Sequence, residues 1–167
     1  MRLREFNECA DHVAVQVLQP FVHMPSWIET LVKKRPYGSI EQLYQQASQQ
    51  AANWQWSEVA QALAQHPRIG QKRAAVVLSQ QEQQFSASEQ SGVQHGADMQ
   101  QALLKGNHAY EQRFGHIFLI RAAGRTGPEI LQELQRRMQN TVVQEQQEVI
   151  AQLAEIALLR LQQGIVA

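Results

Sequence analysis

Apolar residues recur every three or four positions along most of this chain, and this spacing constrains its fold more than any other feature. Ile40, Leu43, Tyr44 and Ala47 are one example, because the four side chains fall on one face of an α-helix. The run 117–120 is apolar enough to be a short strand, but no second such run exists to pair with it. The sequence therefore predicts an all-α fold: a single-domain multi-helix bundle over residues 1–167, with an irregular buried segment near residues 115–125.

Residues that cap or interrupt helices set the expected boundaries. Asn7 is expected to cap a first helix that ends at Pro20, and Ser57 is expected to cap a helix that stops at His66. The segment 80–96 is rich in Gln, Ser and Gly, so we expect a polar connector that contains a short helical turn. The other helices are expected to begin near Pro25, Ser39, Ala97, Pro128 and Thr141.

The composition argues against several classes of partner and site. Lys plus Arg and Asp plus Glu both total 15, so the chain lacks the basic excess typical of proteins that bind nucleic acid or acidic membranes. Cys9 is the single cysteine, which excludes an intrachain disulfide and a cysteine-based zinc site within this sequence. We expect a cytoplasmic protein, because no secretory signal and no apolar run of roughly 20 residues is found. No metal is expected either, since metal-binding spacing is absent among His12, His23, His95, His108 and His116.

The stretch Gln65–Gly70, QHPRIG, interrupts the helical pattern. Pro67 keeps His66 out of the α-helical region, so the imidazole is expected at the carboxyl end of a helix, where unpaired carbonyl groups favour the protonated ring. An imidazole that titrates near neutrality suits general acid–base chemistry. The same residues are also typical of a simple helix stop.

A second stretch, SASEQ at residues 86–90, also has two interpretations. It is typical of a helix amino terminus in which Ser86 is the cap and Glu89 completes a capping box. The same geometry would present backbone N–H groups, hydroxyls, a carboxylate and an amide within one turn. Such a set of groups is able to hold a polar heterocycle.

A third stretch, the apolar run 117–120, is followed by Arg121. An apolar run that ends in arginine is typical of a core segment that reaches the surface. If its backbone is irregular and buried, however, its N–H and C=O groups need partners, which a planar amide-like ligand could supply.

Together these stretches resemble the 2-oxo-4-hydroxy-4-carboxy-5-ureidoimidazoline (OHCU) decarboxylase family. The resemblance covers nearly the whole chain, and three ordered motifs are far more specific than any one of them. It is carried by His66-Pro67 followed by Gly70, Ser86-x-x-Glu89-Gln90, and Asn107-x-x-Tyr110-x-x-Arg113-Phe114-Gly115 running into Phe118-Leu119-Ile120. It extends to Arg35-Pro36, Arg136, Asn140, Glu145 and Arg160-Leu161.

The resemblance implies a cofactor-free, all-α enzyme of urate degradation that decarboxylates OHCU to (S)-allantoin and assembles as a homodimer. It makes His66 the catalytic acid–base and Glu89 the residue that orients the substrate. Some members have cysteine where Arg121 stands, so backbone contacts are expected at that position. The implied substrate-binding residues are Pro67, Ser86, Ala87, Ser88, Glu89, Gln90, Phe118, Leu119, Ile120, Arg121 and Ala122.

Two alternatives stay open at the level of sequence. The chain could be a non-enzymatic helical module that binds a small ligand or a partner, with QHPRIG as a helix stop. It could also be an enzyme of the same class that acts on a related purine-derived heterocycle.

Overall fold

The structure is a computed structural model that describes residues 1–70, 79–92 and 96–167. Within these ranges the chain forms nine α-helices and no β-strand, which confirms the all-α prediction. No helix in the described ranges is long and apolar enough to cross a membrane. The helices are α1 (Leu3–Glu8), α2 (Asp11–Leu18), α3 (Pro25–Lys33), α4 (Ile40–Ala51), α5 (Trp56–Leu63), α6 (Gln80–Glu89), α7 (Ala97–Phe114), α8 (Gly127–Arg137) and α9 (Val142–Gly164).

The predicted caps at the first and fifth helices were wrong. Asn7 lies inside α1, and its side-chain amide bonds both the N–H and the C=O of Tyr37, each at 2.9 Å. This long-range pairing ties α1 to the loop after α3, so the amide is not free to cap a helix. Ser57 likewise lies inside α5, which begins at Trp56 after the N-cap residue Gln55.

The polar connector predicted for residues 80–96 was also wrong in part, because most of it forms the ten-residue helix α6. Ser79 caps this helix by accepting the N–H of Glu82, whose carboxylate accepts the N–H of Ser79 in return. This capping box lies seven residues before the predicted one, so Ser86 is not a cap and belongs to the last turn. Residues 93–95, including the predicted non-ligand His95, lie outside the described residues.

The remaining predicted helix starts agree with the structure. Pro25 is the first residue of α3, and Ser39 caps α4 by accepting the N–H of Gln42. Thr141 caps α9, and Gly115 ends α7 in a left-handed conformation with φ of 77°. These boundaries follow from local rules of capping and proline placement.

Two apolar clusters form the core, and the irregular segment 117–120 joins them. The larger cluster packs α1 to α5 against α9 through side chains such as Trp27, Leu31, Leu43, Leu153 and Leu161. The smaller cluster includes Ile69, Leu103, Tyr110, Ile130 and Leu134. Phe118 and Ile120 belong to the smaller cluster and Leu119 to the larger one, so successive side chains point to opposite sides as in an extended strand.

A buried ion pair holds this segment in place. Arg137 at the end of α8 donates from Nε to Glu145 of α9 at 2.8 Å, and from Nη1 to the carbonyl of Leu119 at 2.7 Å. Tyr110 of α7 donates its hydroxyl to the same carboxylate, and burial and this bond raise its pKa. Three helices and the irregular segment are thereby joined, which confirms the predicted buried, non-helical backbone near residues 115–125.

Gly164, the last residue of α9, lies directly against the ring of Phe21. A Cβ atom built at this glycine would lie 2.6 Å from Cε1 of that ring and closer still to Cζ. Phe21 is fully buried, so the ring has no free space into which it could move. The glycine therefore permits a close approach between α9 and the loop after α2.

We expect Gly164→Ala to lower the free energy of unfolding by about 1–3 kcal/mol, because the added methyl group overpacks a filled core. Urea denaturation of the variant and the parent chain measures the difference. Gly96→Ala is the matched control, since a Cβ there would meet nothing within 4 Å. Equal stability of the parent and Gly164→Ala would contradict the packing described here.

Candidate active site

His66 lies just beyond the end of α5, where the chain leaves the helix. Its backbone N–H donates to the carbonyl of Leu63 at 3.0 Å, and its side chain is buried, with 8% of the residue exposed. Pro67 follows it, and Gly70 then takes a left-handed conformation with φ of 82°, which glycine adopts without strain. The predicted position at a helix end is therefore confirmed.

The sequence led us to expect an imidazole that titrates near neutrality, and the pKa of the buried ring departs from that expectation. The pKa of His66 is lowered to about 3, chiefly by burial. The positive charges of Arg160 and His23 also lower it, and these effects exceed the opposite effect of the Glu82 carboxylate. Loss of hydration outweighs the small negative charge of a helix end, because a partial charge cannot replace the water that burial removes. The imidazole is therefore neutral at physiological pH.

Glu89 is held by Arg160, which reaches it from α9. Nε of Arg160 donates to Oε1 of Glu89 at 2.6 Å and Nη2 donates to Oε2 at 3.0 Å, so the pair is bidentate. Both side chains are largely buried, with 6% and 16% exposed. His66 and Glu89, which the sequence predicted as partners, thus share Arg160 as a neighbour.

A second acid–base pair was missed by sequence reasoning. His23, in the loop between α2 and α3, bonds through Nε2 to Oε1 of Glu82 at the start of α6. Burial raises the pKa of Glu82, but hydrogen bonds from Ser79 and His23 outweigh it and bring the pKa below its usual range. The Ser79-x-x-Glu82 capping box was readable in the sequence, whereas no local signal connects Glu82 with His23, 59 residues away.

The stretches at residues 66–70 and 86–90 are joined directly. Oε1 of Gln90 accepts the N–H of Gly70 at 3.1 Å. Asn107 of α7 donates to the carbonyl of Ile69 at 2.9 Å, and its own Oδ1 is buried without a hydrogen-bond partner in the described part of the chain. Gln90 and Asn107 therefore bind the N–H and the C=O of the same peptide group, the one that joins Ile69 to Gly70.

Not every residue of the stretch 86–90 faces His66. Ser86 is half-buried, and its carbonyl accepts the N–H of Gln90, as expected for the last turn of a helix. Ala87 and Ser88 are exposed. The free N–H groups of a helix amino terminus, expected here from the sequence, are therefore not available, because they are bonded within α6.

The segment 118–122 offers backbone groups to a ligand. In the described part of the chain, the N–H groups of Phe118, Leu119 and Ile120 donate to no protein acceptor, although these residues are buried. The N–H of Arg121 is already bonded to Gln152 at 2.8 Å. Ala122 is also buried, and its carbonyl accepts the N–H of Arg125. Three N–H groups are thus left without the partner that buried backbone groups normally have.

The chain is similar to curated proteins whose names refer to uric acid degradation. The chain is 26% identical to the uric acid degradation bifunctional protein of Bacillus sp. (strain TB-90), over 98% of this chain and 32% of that protein. It is 25% identical to the uric acid degradation bifunctional protein PucL of Bacillus subtilis (strain 168), over 94% of this chain and 31% of that protein. The chain spans about a third of the length of these relatives.

Two solved structures share the fold. A crystal structure of OHCU decarboxylase in the presence of (S)-allantoin matches with a TM-score of 0.72 and 21% identity, over 93% of this chain and 97% of that one. A crystal structure of (S)-allantoin synthase matches with a TM-score of 0.71 and 19% identity, over 99% of this chain and 54% of that one. The sequence pattern of the family described as OHCU decarboxylase matches residues 7–162. The chain therefore belongs to the OHCU decarboxylase family.

Proposed function

We propose that this chain catalyses the decarboxylation of OHCU to (S)-allantoin, with His66 as the base and Glu89 as the residue that orients the substrate. The observation that best supports this proposal is the placement of a neutral, buried His66 next to the Arg160–Glu89 pair. Membership of the family and the names of both solved structures point to the same substrate.

The substrate provides its own electron acceptor. It carries a carboxylate on a ring carbon that also bears a hydroxyl, next to a C=N bond. When the C–C bond to the carboxylate breaks, its electron pair forms a C=C bond and the C=N electrons move onto nitrogen, which takes up one proton. The enol that results becomes allantoin when the hydroxyl proton leaves and the neighbouring carbon gains a proton.

A neutral His66 is suited to the second of these steps. It can accept the hydroxyl proton and return a proton to the carbon on one face, which would give a single enantiomer. The imidazolium formed in between would be stabilised by the carboxylate of Glu82, which favours the charged ring. Of the acid–base roles that the resemblance implies for His66, the neutral ring favours that of the initial base.

Glu89 can orient the substrate while it stays paired with Arg160. Each carboxylate oxygen accepts one hydrogen bond from the guanidinium, and a carboxylate has about four lone-pair positions in all. One free position can accept the substrate hydroxyl or a ureido N–H. Because the bidentate pair fixes the plane of the carboxylate, that position has a defined direction.

The backbone of residues 118–120 and the side chain of Gln90 would hold the polar edge of the ring. Three unpaired backbone N–H groups can donate to its carbonyl and ureido oxygens, and fixed dipoles of this kind need no reorganisation during the reaction. The ring of Phe118 and its apolar neighbours would surround the carboxylate, which favours its departure as uncharged CO2.

The direct test is an activity assay with freshly generated OHCU, followed by circular dichroism as optically active allantoin forms. We expect the chain to accelerate the reaction and give one enantiomer. No acceleration, with a signal that grows only at the uncatalysed rate, would favour the non-enzymatic binding module. A panel of related purine-derived heterocycles separates OHCU from its analogues.

We expect His66→Asn to lower turnover by about 10²–10⁴ while the fold is retained, because the base is lost from a site that is otherwise intact. The product formed by the variant should be racemic, since proton delivery would come from solvent. His12→Asn, at an exposed position on α2, is the control and should retain full activity.

The dependence of stability on pH provides an independent check on His66. The unfolded imidazole gains its proton near pH 6.5 and the folded one only near pH 3, so the parent chain should lose stability as pH falls from 6.5 to 3. This loss is at most about 1.4 kcal/mol per pH unit. Chemical denaturation should give a weaker loss for His66→Asn, and an unchanged pH dependence would contradict the buried neutral ring.

We expect Glu89→Gln to lower kcat more than it raises KM, because the amide retains the shape of the side chain but accepts at one oxygen only. Glu148→Gln is the matched control. It weakens another ion pair of α9, the one between Glu148 and Arg136. Turnover of Glu89→Gln within about twofold of the parent would leave Glu89 with a purely structural role toward Arg160.

A further inference from the structure

The mechanism proposed for the candidate active site gives no proton-transfer role to the pair formed by His23 and Glu82. Nε2 of His23 bonds Oε1 of Glu82, and the side chains are 28% and 10% exposed. His66 is more deeply buried than His23. The charges of His23 and Glu82 both act on His66, so the pair is near the buried imidazole, and the ring of His23 is the one that water can reach.

Several contacts fix the segment that carries His23 against α6. Nη1 of Arg160 donates to the carbonyls of Pro20 and Phe21, each at 3.4 Å, while the same guanidinium binds Glu89. The ring of Phe21 packs edge-on against Phe85 of α6, with ring centres 5.8 Å apart. These contacts hold the loop that carries His23 against α6, the helix that carries Glu82.

The reaction takes up a proton that His66 does not hold. Loss of CO2 from a carboxylate and its replacement by hydrogen consumes one proton per turnover: RCOO⁻ + H⁺ gives RH + CO2. The proton that His66 moves from oxygen to carbon belongs to the substrate, so it adds nothing to this balance. One proton per turnover therefore has to come from solvent, and a side chain that connects the site with solvent can deliver it to the ring nitrogen.

We propose that His23, oriented by Glu82, relays this proton from solvent to the site of His66. The proposal rests on the proposed function. An imidazole can take up a proton at one ring nitrogen and release one at the other, and Glu82 orients the ring of His23 by accepting from Nε2. When His23 gives up a proton through its other nitrogen, it can take the next one from water because it is partly exposed.

The charges around the pair determine how His23 and His66 influence each other. Glu82 from α6, Arg160 from α9 and His23 itself act on His66, and Glu89 neutralises Arg160. A proton on His23 therefore opposes a proton on His66. This coupling allows one imidazole to be charged while the other is neutral, as a relay requires.

The decisive variant is His23→Gln, which retains a side-chain amide that can bond Glu82 but cannot change charge. We expect kcat to fall by roughly 10² with little change in KM. The decline of kcat at alkaline pH, where an imidazole loses its proton, should disappear, and added free imidazole should restore part of the rate. His12→Gln is the exposed control and should alter none of these quantities.

NMR measures the effect of His23 on His66 in the absence of substrate. NMR of the ring nuclei of His66 between pH 5 and 8 should give a small displacement as His23 changes charge. That displacement should be absent from His23→Gln and retained in His12→Gln.

The outcomes separate this proposal from the proposed function. An inactive parent chain would overturn the proposed function and the relay with it. An active parent chain with normal kcat, pH profile and His66 displacement in His23→Gln would overturn the relay alone. A loss of activity that imidazole does not restore, together with an unchanged His66 displacement, would assign His23 a structural role and also overturn the relay.

Discussion

The buried ion pair between Arg137 and Glu145 is the interaction on which the rest of the structure depends. Its side chains are 1% and 0% exposed, and removal of one partner from such a pair typically costs about 3–5 kcal/mol. The pair is satisfied by Tyr110, by Asn140 and by the carbonyl of Leu119. Because Nε, Nη1 and Nη2 of Arg137 all donate inside the protein, the network fixes an otherwise irregular segment where two apolar clusters meet.

The candidate site follows from that segment. Residues 118–120 are extended, because their side chains alternate between the two clusters. Since the described residues include no neighbouring strand, the N–H groups of this segment have no regular partner there. A ligand that presents carbonyl and ureido oxygens would meet that need. Arg160 binds Glu89 and the carbonyl of Pro20, and its charge acts on the buried His66. The fold thus combines unpaired donors with a neutral base.

Local rules allowed much of the fold to be predicted from sequence. Pro25, Ser39 and Thr141 act on neighbouring residues alone, and the start of each of these helices agreed with the structure. The predictions failed where a distant partner decided the outcome. Asn7, for example, binds Tyr37 instead of capping a helix. The cap of α6 was a different kind of error, because the local pattern Ser79-x-x-Glu82 was readable and Ser86-x-x-Glu89 was preferred to it. The charge of His66 could not be inferred either, because burial and Arg160 depend on tertiary packing. The resemblance to a family supplied the pairing of His66 with Glu89, which spacing alone could not.

In the proposed site, the backbone of residues 118–120, which Arg137 holds, and the imidazole of His66 face one ligand. Titration of (S)-allantoin into nitrogen-15-labelled protein tests this arrangement most directly. If both groups face one ligand, the amide signals of Phe118, Leu119 and Ile120 and the ring signals of His66 should shift together. All four should saturate with one dissociation constant. Saturable shifts that leave these residues unmoved, or an absence of saturable shifts anywhere in the chain, would contradict this arrangement.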